Sequence, residues 1–199
     1  CEFLWSLGEN VYGGVYGHIG TDSAAAMVLS YPIQNIMIGT LTGVSQAAGI
    51  MVGKMLGNKD YDNALWSSRR LMVYGLLGSG IISLLIMLTR PFYLSIYNVE
   101  ESVRSIGSMI LMVYAFIAPV KVGNMILAGG ILRSGGRTDI TGAIDILGTW
   151  GIGVPLALIS SSLFHLPIHL VYLMLSLEEV VRLIVGFVVF KKGKWMKSL

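Results

Sequence analysis

The chain has 199 residues, 54% of them hydrophobic and 13% charged, with 25 glycines and a mean hydropathy of +0.73. Soluble domains carry about 25% charged residues, so water is excluded as the main solvent and an all-α, multi-pass membrane protein is predicted. The single cysteine, Cys1, excludes an intrachain disulfide scaffold, and a net charge of +3 gives no footing for nucleic acid as a partner.

The chain opens on Cys1-Glu2-Phe3-Leu4-Trp5, with no initiator methionine and no charged segment before a cleavage site, which predicts a piece of a longer protein. A bilayer core about 30 Å thick takes about 20 apolar residues to cross, so charge-free stretches locate the spans. A Gly-rich first span covers about residues 2–19. The 31 uncharged residues between Asp22 and Lys54 predict a second span at 23–52, and the 19 between Arg70 and Arg90 a third at 71–89. A fourth follows at 102–126, interrupted by Lys121. The 32 residues between Asp145 and Glu178 are too many for one span, and Ser160 to Pro167 (SSSLFHLP) carries turn chemistry. They divide into a fifth span at 143–163 and a sixth at 168–190, ahead of a basic tail at 191–199. The expectation is a single six-helix transmembrane bundle.

Orientation follows from where Lys and Arg accumulate, because short cytoplasmic loops retain positive charge. The even junctions hold Lys54, Lys59, Arg69, Arg70, Arg133 and Arg137, and the tail adds Lys191, Lys192, Lys194 and Lys197. The odd junctions hold Arg90 and Arg104. Ten against two predicts cytoplasmic even loops and a cytoplasmic C-terminus.

Helices in lipid associate through small residues that let backbones approach. Gly13 and Gly17, Gly39 and Gly43, and Gly49, Gly53 and Gly57 repeat at four residues, as close packing within one bundle requires; packing between copies is the alternative. Pro32, Pro119 and Pro155 lie inside three spans and predict bends there.

Enzyme motifs fail. Residues 133–138 (RSGGRT) lack the order of a phosphate loop, and residues 43–47 (GVSQA) lack the last glycine of a nucleophile elbow. Asp60 and Asp62 lack the glycine and distant Glu of a calcium loop. His165 and His169 have ligand spacing, but Pro167 between them breaks the helix, and His18 is read as interfacial. No enzyme activity is predicted.

The informative residues are ionisable groups inside spans: Glu2, Glu9, Lys121, Asp145, Glu178, Glu179 and Arg182. Such groups face a bundle interior or an aqueous cavity and find partners. Glu178 and Arg182, four apart in the favourable order, predict a local ion pair. Glu2 and Glu9, about two turns apart, can share one cavity with Lys121 as their cation. A carboxylate there can load a proton or sodium ion and release it when access changes. Gln34, Asn35 and Asn124 are candidates for polar contacts in the same cavity.

Several blocks, in order along the chain, resemble the second half of multidrug and toxic compound extrusion (MATE) transporters. They are Glu2 to Gly8 (EFLWSLG), Ile19 to Asp22 before Ala24-Ala25-Ala26, and Val52 to Gly57 (VGKMLG) before Ala64. Leu132 to Gly136 (LRSGG) and Asp145 to Pro155 (DILGTWGIGVP) complete the set. The resemblance implies one lobe, helices seven to twelve, of a two-lobe antiporter in the plasma membrane, with the N-terminal lobe of the same chain and membrane lipid as its partners. It implies export of organic cations or amphipathic compounds in exchange for sodium ions or protons, with no cofactor beyond the coupling ion. Glu2 matches the family's membrane-embedded acid and is the candidate sodium ligand. The sequence departs from the family in carrying Lys121 where some members have an acid nearby, and Arg137 where an Asp is common. A lipid or lipid-linked oligosaccharide flippase of the same superfamily and a non-transporting six-helix scaffold or dimer are the alternatives.

Overall fold

The structure is a computed structural model that describes residues 2–197; the side chains of Glu2, Trp5 and Lys197 lie outside the described set. Six long helices account for nearly all of it: α1 (Glu2–Ile19), α2 (Thr21–Gly57), α3 (Tyr61–Ser95), α4 (Glu101–Leu132), α5 (Thr138–Leu163) and α6 (Ile168–Lys192). No strand occurs among the described residues. The all-α bundle expected from composition is the fold observed.

The helices outrun the apolar stretches that locate them. α3 begins at Tyr61 because Asp60 caps it, accepting from the Asn63 backbone N–H at 3.4 Å, and it continues through Pro91 to Ser95. Charge-gap reading sees only the central 71–89, since polar first turns are helical but not apolar. α2, α3, α4 and α5 are long and apolar enough to cross a membrane by length and composition. Glu178, Glu179 and Arg182 interrupt the apolar character of α6, and four glycines and two glutamates dilute that of α1. Between α1 and α2 the backbone turns at Gly20 (φ 157°, ψ 158°), a conformation reserved almost entirely to glycine.

α4 is the hub. Ile110, Leu111, Ile126, Leu127, Ile131 and Leu132 are all fully buried along it, between α2, α3 and α6. Its last eight residues, Met125–Leu132, widen into π-helical geometry a turn and a half after Pro119. There the backbones of α2 and α4 nearly touch: a Cβ on Gly130 would stand 2.5 Å from the Ser45 carbonyl oxygen. The Ser45 hydroxyl donates to the Met125 carbonyl at 2.5 Å, so the serine of the GVSQA block ties two helices together. α5 carries two more π-helical stretches, Thr149–Gly153 just before Pro155 and Ile159–Leu163 at its end.

The expected glycine packing holds for Gly49 and Gly53, which face Gly130 and Ser134, but not for Gly13, Gly17, Gly39, Gly43 and Gly57, which face open space. A four-residue repeat fixes a face but not what that face meets. The described part of the basic tail packs against the bundle through Trp195. Trp195 is buried, stacks on Phe190 at 5.5 Å, donates from its indole to the Phe190 carbonyl at 3.1 Å, and sits against Gly135 of the LRSGG turn.

Candidate functional site: a charged cavity between helices α1, α2, α4 and α6

α6 is apolar on both sides of one polar step. Glu178 and Glu179 are adjacent, so about 100° of helical rotation separates their directions, and each meets a different neighbour. Glu179 turns to α4, where Asn124 Nδ2 donates to its Oε2 at 2.7 Å and to its backbone carbonyl at 2.7 Å, and Lys121 Nζ lies 4.0 Å from its Oε1. Glu178 turns to α1 and α5. The Tyr12 hydroxyl donates to its Oε2 at 3.0 Å, and Arg182, one turn on, approaches its Oε1 at 3.6 Å.

Arg182 connects α6 to α5. Its Nη2 donates to the Asp145 carbonyl at 3.0 Å and to the Thr149 hydroxyl, and its Nη1 lies 3.9 Å from Asp145 Oδ1. Glycines make the room. A Cβ on Gly148 would stand 2.2 Å from Arg182 Nε, and one on Gly153 would stand 2.0 Å from the Tyr12 hydroxyl and 2.2 Å from Glu178 Oε2. The local ion pair expected for Glu178 and Arg182 is thus present, within a larger network.

Around these acids lies a partly enclosed cavity. Glu9, Tyr12 and Tyr16 line it from α1, Met27, Tyr31 and Gln34 from α2, Lys121 from α4, and Tyr172, Leu175, Ser176, Glu178 and Glu179 from α6. Gln34 is fixed by donating to the Ser30 hydroxyl at 2.8 Å and by accepting from the Tyr172 hydroxyl at 3.4 Å. Glu178, Glu179 and Arg182 are buried, whereas Glu9 is exposed. The arrangement sets three carboxylates and an ammonium beside four tyrosines, with two of the acids held by partners from other helices. Two adjacent buried carboxylates repel, and opposite charges nearby are what allow both to sit there.

Of the residues singled out in the sequence, Glu9, Gln34 and Lys121 line the cavity and Asn124 reaches it through Glu179. Lys121 also reaches Glu179, across the α4–α6 contact, a pairing the sequence did not single out. Two expectations are corrected. Asp145 lies behind the cavity as a partner of Arg182. Asn35, one residue and a quarter-turn from Gln34, is exposed and does not line the cavity. Glu2 falls in α1, but its side chain lies outside the described residues, so its pairing with Glu9 and its sodium-ligand role do too. Among the described residues no three His, Cys, Asp or Glu side chains converge as a metal-binding set.

Sequence reading did not assign Glu179, Tyr12, Tyr16, Tyr31 or Tyr172 to the cavity. A signal existed: Glu9, Tyr12 and Tyr16 fall on one stripe of α1 at spacings of three and four, and two adjacent acids inside an apolar helix cannot both be satisfied by one neighbour.

Residues 2–159 match the MatE family. Among curated proteins, the chain is 26% identical over 157 residues to multidrug and toxin extrusion protein 1 of Danio rerio, covering 78% of this chain and 26% of that protein. It is 26% identical over 146 residues to a probable multidrug resistance protein NorM of Xylella fastidiosa, covering 71% and 30%. An outward-facing multidrug resistance MATE family transporter superposes at a TM-score of 0.89 and 17% identity, over 100% of this chain and 44% of that one. A MOP superfamily transporter from Pyrococcus furiosus, for which reverse polarity of the binding pocket suggests a different function, superposes at 0.88 and 18%, over 96% and 42%. The chain spans less than a third of the length of these curated relatives and less than half of these solved ones. The order of its blocks, its helical fold and the family match together make it a membrane protein belonging to the MatE family.

Proposed function

We propose that the protein forms one lobe of a secondary active antiporter, which exports organic cations or drug-like amphipathic compounds in exchange for sodium ions or protons. The single observation behind this reading is the cavity in which Glu178 and Glu179, buried and adjacent, stand beside exposed Glu9 and Lys121. In lipid, charged groups are retained where they line a pathway. Glu9 is the acid that first meets an incoming ion, and Glu178 and Glu179 are the acids whose partners must rearrange when it is loaded. Lys121 is a tethered cation that occupies the site when the ion has left. A sodium ion there would take its remaining oxygens from hydroxyls, the Gln34 amide and water, and a proton would need only a carboxylate.

Loading at one face and release at the other requires different affinity in the two states. Rocking of this lobe against a second lobe of the same transporter supplies that difference. The basic loops and the C-terminus face the cytoplasm of a cell bounded by the plasma membrane.

The test is substrate efflux from vesicles containing the intact transporter, driven by a sodium or proton gradient. Glu178→Gln, Glu179→Gln and Glu9→Gln are each expected to abolish gradient-driven transport while substrate still binds. Gradient-driven efflux at the unmodified rate in all three would remove the cavity from ion coupling.

A further inference from the structure

The face opposite the basic loops carries only two Lys or Arg residues by sequence, Arg90 and Arg104, and the fold brings both into one groove. Arg90 lies five residues before the end of α3, and Arg104 is in the first turn of α4. At 1.5 Å per residue, Arg90 sits about 7 Å below the end of its helix and Ser108 about 10 Å below the start of α4. With the ends of α3 and α4 at the outer edge of the headgroup layer, such depths would fall about where headgroups meet hydrocarbon.

Neither guanidinium is used up by the protein. Arg90 makes one long hydrogen bond, from Nη1 to the Ser108 carbonyl at 3.4 Å. Arg104 gives Nη1 to Glu101 at 3.0 Å and Nη2 to the Tyr97 carbonyl at 3.4 Å, but its Nε is buried with no acceptor. The Glu101 side chain is 84% exposed, so that pair is a weak surface contact. The hydroxyls of Ser105 and Ser108 also line the groove and donate to nothing among the described residues. Deeper along the same face of α4 the chemistry becomes apolar: Met109, Met112 and Phe116 are exposed at helical spacing.

We propose that this groove binds the phosphodiester of an anionic phospholipid. The two arginines and two serine hydroxyls hold the headgroup, and the acyl chains run down the Met109, Met112 and Phe116 stripe. A fork of N–H donors matches phosphate oxygens, and the apolar stripe continues where a free phosphate would have nothing to touch. The site depends on the membrane placement of the helices and is separate from the ion-coupling cavity.

The experiment reconstitutes the intact transporter with equal amounts of phosphatidylglycerol and phosphatidylcholine, releases it gently, and weighs the retained lipids by native mass spectrometry. Phosphatidylglycerol is expected to be enriched about tenfold over phosphatidylcholine, and the enrichment is expected to vanish in Arg90→Gln/Arg104→Gln. Glu101→Gln, which frees Nη1 of Arg104, is expected to raise it, and this variant keeps the test alive should the double variant not fold. Inorganic phosphate added in excess is expected to displace no lipid. Equal retention of the two lipids, unchanged enrichment in the double variant, reduced enrichment in Glu101→Gln, or displacement by inorganic phosphate would each overturn the assignment.

Discussion

The Arg182 guanidinium of α6 fills the notch that Gly148 leaves in α5, with a Cβ at Gly148 falling 2.2 Å from Arg182 Nε. Because the position is helical and packed, the missing side chain matters for space rather than for backbone freedom. Gly148→Ala is predicted to destabilise the transporter by about 1–3 kcal/mol through overpacking. Gly151→Ala, three residues on and facing open space, is predicted to be neutral or stabilising by up to about 1 kcal/mol. Thermal unfolding of the two variants in detergent checks this, and equal losses would contradict it.

Arg182 and Glu178 form a buried pair whose side chains are 8% and 7% exposed. Removing one member strands the other, so Arg182→Met is predicted to cost about 3–5 kcal/mol. Adding Glu178→Gln removes the stranded charge and is predicted to recover part of that loss, with a coupling energy of about 1–3 kcal/mol. Denaturant titration of both single variants and the double variant measures it. Strict additivity would mean that Arg182 serves Asp145 and Thr149 alone.

Lys121 is held differently. Its ammonium is 4.0 Å from Glu179 and its side chain 27% exposed, and Asn124 still donates to Glu179 without it, so Lys121→Met is predicted to cost less stability than Arg182→Met. Its effect is expected in binding: with the tethered competitor gone, apparent affinity for the coupling cation should rise about tenfold, or ~1.4 kcal/mol. Gradient-driven efflux measured against cation concentration reads this directly, and an unmoved half-saturation point would refute the tethered-cation role.

Gly130 lets α4 lie against α2, with the Ser45 carbonyl 2.5 Å from where a Cβ would be. The obstacle is backbone, which cannot swing aside. Gly130→Ala is therefore predicted to force the helices apart at a cost of about 1–3 kcal/mol and to lengthen the Ser45–Met125 hydrogen bond. Reduced thermal stability together with faster amide exchange around Met125 is the expected result.

Composition and charge spacing were enough to determine the helices themselves: their number, their order and the break between the last two, which falls at Phe164 to Pro167 after Ser160 to Leu163 continue α5, because a bilayer-length apolar run has few structures open to it. They were also enough to mark Glu9, Lys121, Glu178 and Arg182 as costly and so informative. Only the packing decided partners. Lys121 reaches Glu179 of α6, Asn35 turns outward, Asp145 pairs with Arg182, and Arg90 joins Arg104 in one groove. The reason is geometric. Periodicity gives each side chain an angle around its own helix, but which helix stands at that angle depends on how all six close together, and the glycines that permit the closest approaches are identical in sequence to those that face open space.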